Sequence, residues 1–176
     1  MDYYDQMHND IKPHNYLVKF DRDLSDIEIV LTDFGLAGSE TKGGTPVFGS
    51  PECWANPDRK DKSSDIFSLG RVFLMMILPE EEFRNFLFVP ITQDGKEDIM
   101  KLIEEEPILH LISKMMRIKP KDRIELQNIR AELKQVTKIQ CSDNIIEKIS
   151  EKIVASKTEF SKNYPNHVKD VLPNVS

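Results

Sequence analysis

Near the start of the chain an acid, a lysine and an amide fall within six residues: Asp10, Lys12 and Asn15, in the stretch His8-Asn9-Asp10-Ile11-Lys12-Pro13-His14-Asn15. A carboxylate can accept or orient a hydroxyl proton, an ammonium can neutralise a phosphate, and an amide oxygen can hold a hard cation. These types at this spacing suit phosphoryl transfer. A second acid, Asp33, follows Ile27-Glu28-Ile29-Val30-Leu31, a run that reads as a strand, and seventeen residues separate it from Asn15. A hairpin between them would bring the second carboxylate out near the first, giving a site for a metal and a phosphate. The alternative for both acids is turn capping, the commonest role of aspartate in loops.

With the flanking residues included, the pattern resembles the protein kinase superfamily. His8-Asn9-Asp10 stands where that family usually has His-Arg-Asp, and Asp33-Phe34-Gly35 matches its magnesium-binding triplet. Further along, Gly44-Thr45-Pro46-Val47-Phe48-Gly49-Ser50-Pro51-Glu52 resembles the end of the activation segment, with Ser50 in the place usually held by alanine. Asp65-Ile66-Phe67-Ser68-Leu69-Gly70 resembles the start of the long central helix of the lower lobe, with Phe67 where tryptophan is common. Arg123 sits where the family places the arginine that pairs with the glutamate here numbered Glu52.

The resemblance implies a set of roles. Asp10 would accept or orient the acceptor hydroxyl proton, Lys12 would reach the transferring phosphate, and Asn15 with Asp33 would hold Mg²⁺. His8 would pack against Phe34. Leu17 would lie beneath the adenine ring of ATP; on the residues alone it is an inward-facing strand side chain. Thr45 would touch the catalytic acid and lysine, and together with Lys12 it favours serine/threonine over tyrosine specificity. Glu52 and Arg123 would form a buried ion pair, and Asp65 would bond the backbone of the catalytic loop, with a plain helix cap as its alternative. Asn9 replaces the arginine that normally receives a phosphorylated activation-loop residue, which leaves Ser39 and Thr41 without their usual anchor.

Length and composition set limits on this reading. The 176 residues are room for one ordinary domain, whereas a whole kinase catalytic domain needs roughly one and a half times as many. None of the seven glycines forms a Gly-x-Gly-x-x-Gly pattern. The expectation is a lower lobe over residues 1–136 without its upper lobe, followed by a C-terminal helix and loose tail over 137–176. Lys and Arg number 24 against 30 Asp and Glu, a net charge of −6 with no dense basic patch, which argues against nucleic acid as a partner. The apolar run Ile66 to Leu78 is interrupted by Ser68 and Arg71 and is too short to span a bilayer. Two distant cysteines, Cys53 and Cys141, and no signal-peptide pattern point to an intracellular, cytoplasmic setting.

The elements expected to position these residues are mainly helical with a small β hairpin, as in the lower lobe of the α+β kinase fold. Tyr16 to Val18 and Ile27 to Leu31 read as the hairpin strands, and residues 35 to 50, rich in Gly, Ser and Thr, as a loop. Ser63-Ser64-Asp65 supplies capping residues for a helix from Ile66 to Leu78, which Pro79 stops. Leu109, Ile112, Met115 and Met116 keep helical spacing, as do Leu126, Ile129 and Leu133, and a last stripe runs from Ile145 through Ile146, Ile149 and Ile153 to Phe160. Part of the central helix, among Val72, Phe73, Met75, Met76 and Ile77, is expected to lie uncovered unless a partner or the missing upper lobe covers it. Function then divides in two: a serine/threonine kinase lower lobe using ATP and Mg²⁺ on a protein hydroxyl once an upper lobe completes it, or a truncated kinase or pseudokinase acting as a binding module.

Overall fold

Tyr16-Leu17-Val18-Lys19-Phe20 and Ile27-Glu28-Ile29-Val30-Leu31 are dense in β-branched and aromatic side chains and form strands β1 (Tyr16–Phe20) and β2 (Ile27–Leu31). The computed structural model describes residues 6–20, 27–38, 44–55, 61–87, 107–136 and the single positions 147 and 151. Within it the strands pair antiparallel, Tyr16 opposite Leu31 and Phe20 opposite Ile27. The first strand runs two residues past its apolar trio, with Lys19 matched across the pair by Glu28 at 3.3 Å. Both faces of this sheet are open: Leu17, Val18, Phe20, Ile27 and Ile29 are all more than half exposed. The inward-facing reading of Leu17 is therefore corrected, since its side chain is 60% exposed. A hairpin alone has no layer to bury it.

Five α-helices follow among the described residues: α1 (Pro51–Ala55), α2 (Lys62–Ile77), α3 (Glu80–Leu87), α4 (Pro107–Met115) and α5 (Leu126–Leu133). The helix α2 starts earlier than its apolar run. Asp61 caps it, its Oδ1 accepting from Ser63 N at 2.8 Å, so Ser63, Ser64 and Asp65 are first-turn residues rather than the cap. That placement also removes the plain-cap reading of Asp65. At the other end Leu78 N still donates to Leu74 O, and Pro79, which has no N–H to continue the ladder, gives its carbonyl to Phe83 N at 3.0 Å to begin α3. The sequence reasoning missed α3 and α1. A proline followed by Glu80 and Glu81, with Phe83 and Phe86 three apart, is an N-terminal helix signal that was there to be used.

The chain divides into two compact units, Met1–Phe73 with Lys114–Arg130, and Leu74–Ser113 with Ala131–Ser176. In the first, Ile11, Phe48, Ile66, Phe67, Val72 and Met116 are buried. Here Gly70 permits a close approach: a Cβ at that position would stand 2.7 Å from Met116 Cγ and 3.0 Å from Met115 Cβ. In the second, Leu74, Leu78, Phe83, Phe86, Leu109 and Ile112 are buried. Of the central-helix residues expected to lie open, Val72 is buried, while Met75 and Met76 are exposed, Met76 at 75%. Of the α5 stripe only Ile129 is buried; Leu126 and Leu133 face outward. The stripe from Ile145 to Phe160 and the tail lie outside the described residues, apart from Glu147 and Glu151, both helical and exposed. Among the described residues no helix is long and apolar enough to cross a membrane.

Candidate active site

Asp10 sits in the loop ahead of β1, and its carboxylate is bonded on every side by this chain. Lys12 Nζ donates to Oδ2 at 2.6 Å; Thr45 donates to Oδ1 twice, from its backbone N at 2.8 Å and its Oγ1 at 2.9 Å. Lys12 Nζ also reaches Thr45 Oγ1 at 3.1 Å, closing a triangle of acid, lysine and threonine. Burial alone would raise the Asp10 carboxyl, but the Lys12 ammonium and the two Thr45 donors outweigh it and hold the group below the ordinary carboxylate value. Asp10 is thus an anion at neutral pH.

A 3-10 turn, Pro13–Asn15, carries Asn15 out of this loop and into β1. Its Nδ2 donates to Asp10 O at 2.8 Å, which leaves the amide oxygen as the donor atom a hard cation would take. The hairpin closes on the same residue: Thr32 donates to Asn15 O from its N at 2.8 Å and from its Oγ1 at 3.1 Å. Asp33 is the next residue after this closure. It is exposed and left-handed at φ 62°, a conformation aspartate tolerates, with Oδ1 accepting from Gly35 N at 3.4 Å. A following 3-10 turn, Phe34–Leu36, turns the chain away.

His8 is buried, its ring tilted 58° against that of Phe34 with centroids 4.8 Å apart. Its Nδ1 accepts from Asp10 N at 3.3 Å and its Nε2 meets Thr32 O at 2.9 Å, which assigns the proton to Nε2. Both ring nitrogens are engaged, so His8 ties Asp10 to Thr32 and is not available as a base. Asn9, left-handed at φ 67°, donates from Nδ2 to Leu36 O at 2.9 Å. The backbone of this loop is held from below by Asp65: Oδ2 accepts from His8 N at 2.6 Å and Oδ1 from Asn9 N at 2.9 Å.

The second anchored segment is 44–52. Glu52 and Arg123 meet fork to fork, Nη1 to Oε1 and Nη2 to Oε2, each at 2.6 Å, with the arginine side chain fully buried. Burial would raise the Glu52 carboxyl; Arg123 foremost, then Ser50, bring it below its usual value. Ser64 Oγ adds a bond to Glu52 Oε1 at 2.9 Å, and Ser50 Oγ lies 3.0 Å from Cys53 Sγ. Sequence reasoning missed these serines and Arg71, whose guanidinium reaches Val47 O. Ser64, Ser68 and Arg71 lie at i, i+4 and i+7 on α2, all buried, and that spacing was the available signal.

Residues 4–133 match the family described as protein kinase domain. A probable serine/threonine-protein kinase of Dictyostelium discoideum is 46% identical over 79 residues, 40% of this chain and 12% of that protein. The maternal embryonic leucine zipper kinase of Xenopus laevis is 28% identical over 134 residues, 69% of this chain and 20% of that protein. A second Dictyostelium discoideum protein, probable serine/threonine-protein kinase MARK-A, is 28% identical over 133 residues, 70% of this chain and 12% of its own length. The chain spans a fifth or less of these curated relatives. With the family match covering most of its residues, this chain belongs to the protein kinase domain family.

Proposed function

We propose that residues 1–136 are the lower lobe of a serine/threonine protein kinase, transferring phosphate from ATP to a protein hydroxyl when an upper lobe completes the site. The observation that carries this is the Asp10 carboxylate, ionised and oriented by Lys12 at 2.6 Å and by Thr45 at 2.8 and 2.9 Å. A carboxylate held this way can align a serine or threonine hydroxyl and receive its proton as the oxygen bonds to phosphorus. Lys12, already beside Asp10, is placed to share charge with the transferring phosphate. The lysine and threonine together support serine/threonine acceptors, as does the likeness to probable serine/threonine-protein kinases.

Asn15, with its amide oxygen left over, and Asp33, one residue from the Thr32 that bonds Asn15, fit a magnesium site. Mg²⁺ takes few protein oxygens and completes its shell from water and phosphate, so two such ligands suffice. When bound, ATP supplies the phosphoryl group and Mg²⁺ the charge that offsets its phosphates. Leu17, 60% exposed on β1, is open to a ligand surface and is assigned to the adenine ring. Covering the phosphates falls to a glycine-rich loop and strand lysine of an upper lobe, since no Gly-x-Gly-x-x-Gly occurs in these 176 residues.

The test joins this chain to a complete kinase upper lobe and follows radiolabelled phosphate from ATP into a generic protein substrate. Label on serine or threonine is expected, and Asp10→Asn or Asp33→Asn removes nearly all of it. Transfer that persists in both variants overturns the assignment of roles. No transfer by the unmutated protein favours the binding-module alternative.

A further inference from the structure

Arg71 stands on the third turn of α2 and is 3% exposed. It pairs with no carboxylate among the described residues. Its guanidinium lies 5.0 Å from the centre of the Phe67 ring, one helical turn back, and the Arg123 guanidinium lies 4.9 Å from the same ring. Two cations share one aromatic ring, and among the described residues only Arg123 pairs with an anion. Arg71 Nε is buried with no hydrogen-bond partner. Burying a guanidinium under these conditions is unfavourable, and burial pushes its pKa down to about 10. An apolar side chain of similar volume would pack at this position without that penalty.

What the arginine achieves is a bond from Nη1 to the carbonyl of Val47. Val47 belongs to a tight turn in which Phe48 N and Gly49 N donate to Thr45 O at 3.0 and 3.2 Å. Thr45 in turn is bonded to Asp10 through both its N and its Oγ1. The main chain two residues from the threonine that orients Asp10 is therefore fixed by a charge rising from α2. Asp33 lies on another segment and shares none of these bonds, and Asn15 meets them only at Asp10, donating from Nδ2 to its O at 2.8 Å and to its Oδ2 at 3.4 Å.

We propose that Arg71 is a positioning residue for the acceptor side of the site: it fixes the turn Thr45–Gly49, and with it the edge along which a substrate peptide meets Asp10. The kinetic part of this inference rests on the kinase reading above; the tether itself does not. Loss of the tether frees the turn, weakens the peptide and leaves ATP untouched.

Two measurements decide it, both on Arg71→Met, which keeps length and packing, and Arg71→Lys, which keeps the charge without the planar fork. Hydrogen exchange on the full chain is the first. In Arg71→Met the Phe48 and Gly49 amides should exchange about tenfold faster, the scale of one charge-assisted hydrogen bond, with the Ile124 amide unchanged. Steady-state kinetics on the active form joined to an upper lobe is the second. Peptide KM should rise about tenfold in Arg71→Met with ATP KM within twofold, and Arg71→Lys should recover part of the loss. Unchanged exchange at Phe48 and Gly49 overturns the tether, and equal rises in both KM values overturn the acceptor role. If the unmutated protein transfers no phosphate, the kinase reading fails and the exchange data alone still decide whether Arg71 holds the turn.

Discussion

Removing the charge on Glu52 tests how firmly the segment 44–52 is fastened. In Glu52→Gln the amide keeps its shape, but one end now presents N–H groups to the N–H groups of Arg123. The guanidinium loses one of two 2.6 Å bonds and its carboxylate partner, in a place where its side chain is fully buried and water cannot substitute. Orphaning one partner of such a pair costs about 3–5 kcal/mol. Arg123→Met should cost at least as much, because Arg123 also donates to Arg117 O at 2.8 Å, Ser63 O at 3.0 Å and Ile118 O at 3.1 Å. For a chain of this size the loss corresponds to a fall in Tm of roughly 6–20 °C. The double variant Glu52→Met/Arg123→Met leaves no uncompensated charge, so its loss should be smaller than the sum of the singles by about 2–3 kcal/mol.

The assay is urea unfolding followed by the fluorescence of Trp54, the single tryptophan, with m compared across variants to establish a common unfolding reaction. A pH series adds an independent check. Glu52 has its carboxyl pKa lowered on folding, so its contribution is complete above the ordinary glutamate value of 4.5 and is lost as the pH falls through the lowered one. Asp10 shifts the same way but is common to both proteins and cancels in the difference. The gap between the unmutated chain and Glu52→Gln should therefore be widest at neutral pH and close in acid. Additive single variants, or a gap that persists in strong acid, would refute the view that one ion pair fastens the segment.

Three further outcomes are expected. Gly70→Ala should destabilise by about 1–2 kcal/mol, because the crowding of Met115 Cβ and Met116 Cγ outweighs the gain of about 1 kcal/mol in helix propensity; an unchanged urea midpoint would show that the close approach relaxes freely. Asn9 spends its Nδ2 on Leu36 O and offers no cation, so phosphatase treatment of the active form should leave kcat within twofold, and a tenfold fall traced to Ser39 or Thr41 would require another cation. Replacing the exposed Met75 and Met76 by Gln should reduce self-association in sedimentation while leaving the unfolding midpoint in place; undiminished association would move the sticky surface elsewhere.

The candidate site was read from residue types, and of its members the structure brings Asp10, Lys12 and Thr45 within hydrogen-bonding distance of one another. Asp10, Lys12, Asn15 and Asp33 are named by residue type and spacing because the chemistry tolerates few substitutes. The hairpin was readable from β-branched runs, yet the exposure of Leu17 was not, since alternation along a strand says which residues share a face and nothing about whether a layer covers it. The start of α2 was misplaced because three adjacent residues, Ser63, Ser64 and Asp65, all have capping side chains, and only backbone geometry singles out Asp61. Leu126 and Leu133 share helical spacing with Ile129 but not its burial, because a short helix lying over a surface buries a narrower stripe than periodicity suggests.

The polar residues of α2 have a role that their spacing alone does not reveal. Ser64, Ser68 and Arg71 keep helical spacing, and a polar stripe on a helix ordinarily faces water. Here all three are buried. A buried polar group is tolerable only where a partner waits, and Ser64 finds Glu52, Arg71 finds Val47 O, and Ser68 falls back on Ser64 O at 3.1 Å. Adding Asp65, which holds His8 N and Asn9 N, three side chains within two turns reach two separate segments, the loop around Asp10 and the stretch 47–52. Apolar residues would pack the helix as well or better, but apolar contact is non-directional and would let those segments slide. Directional bonds from one rigid helix set their mutual register, and it is that register which brings Thr45 to Asp10 at 2.8 Å.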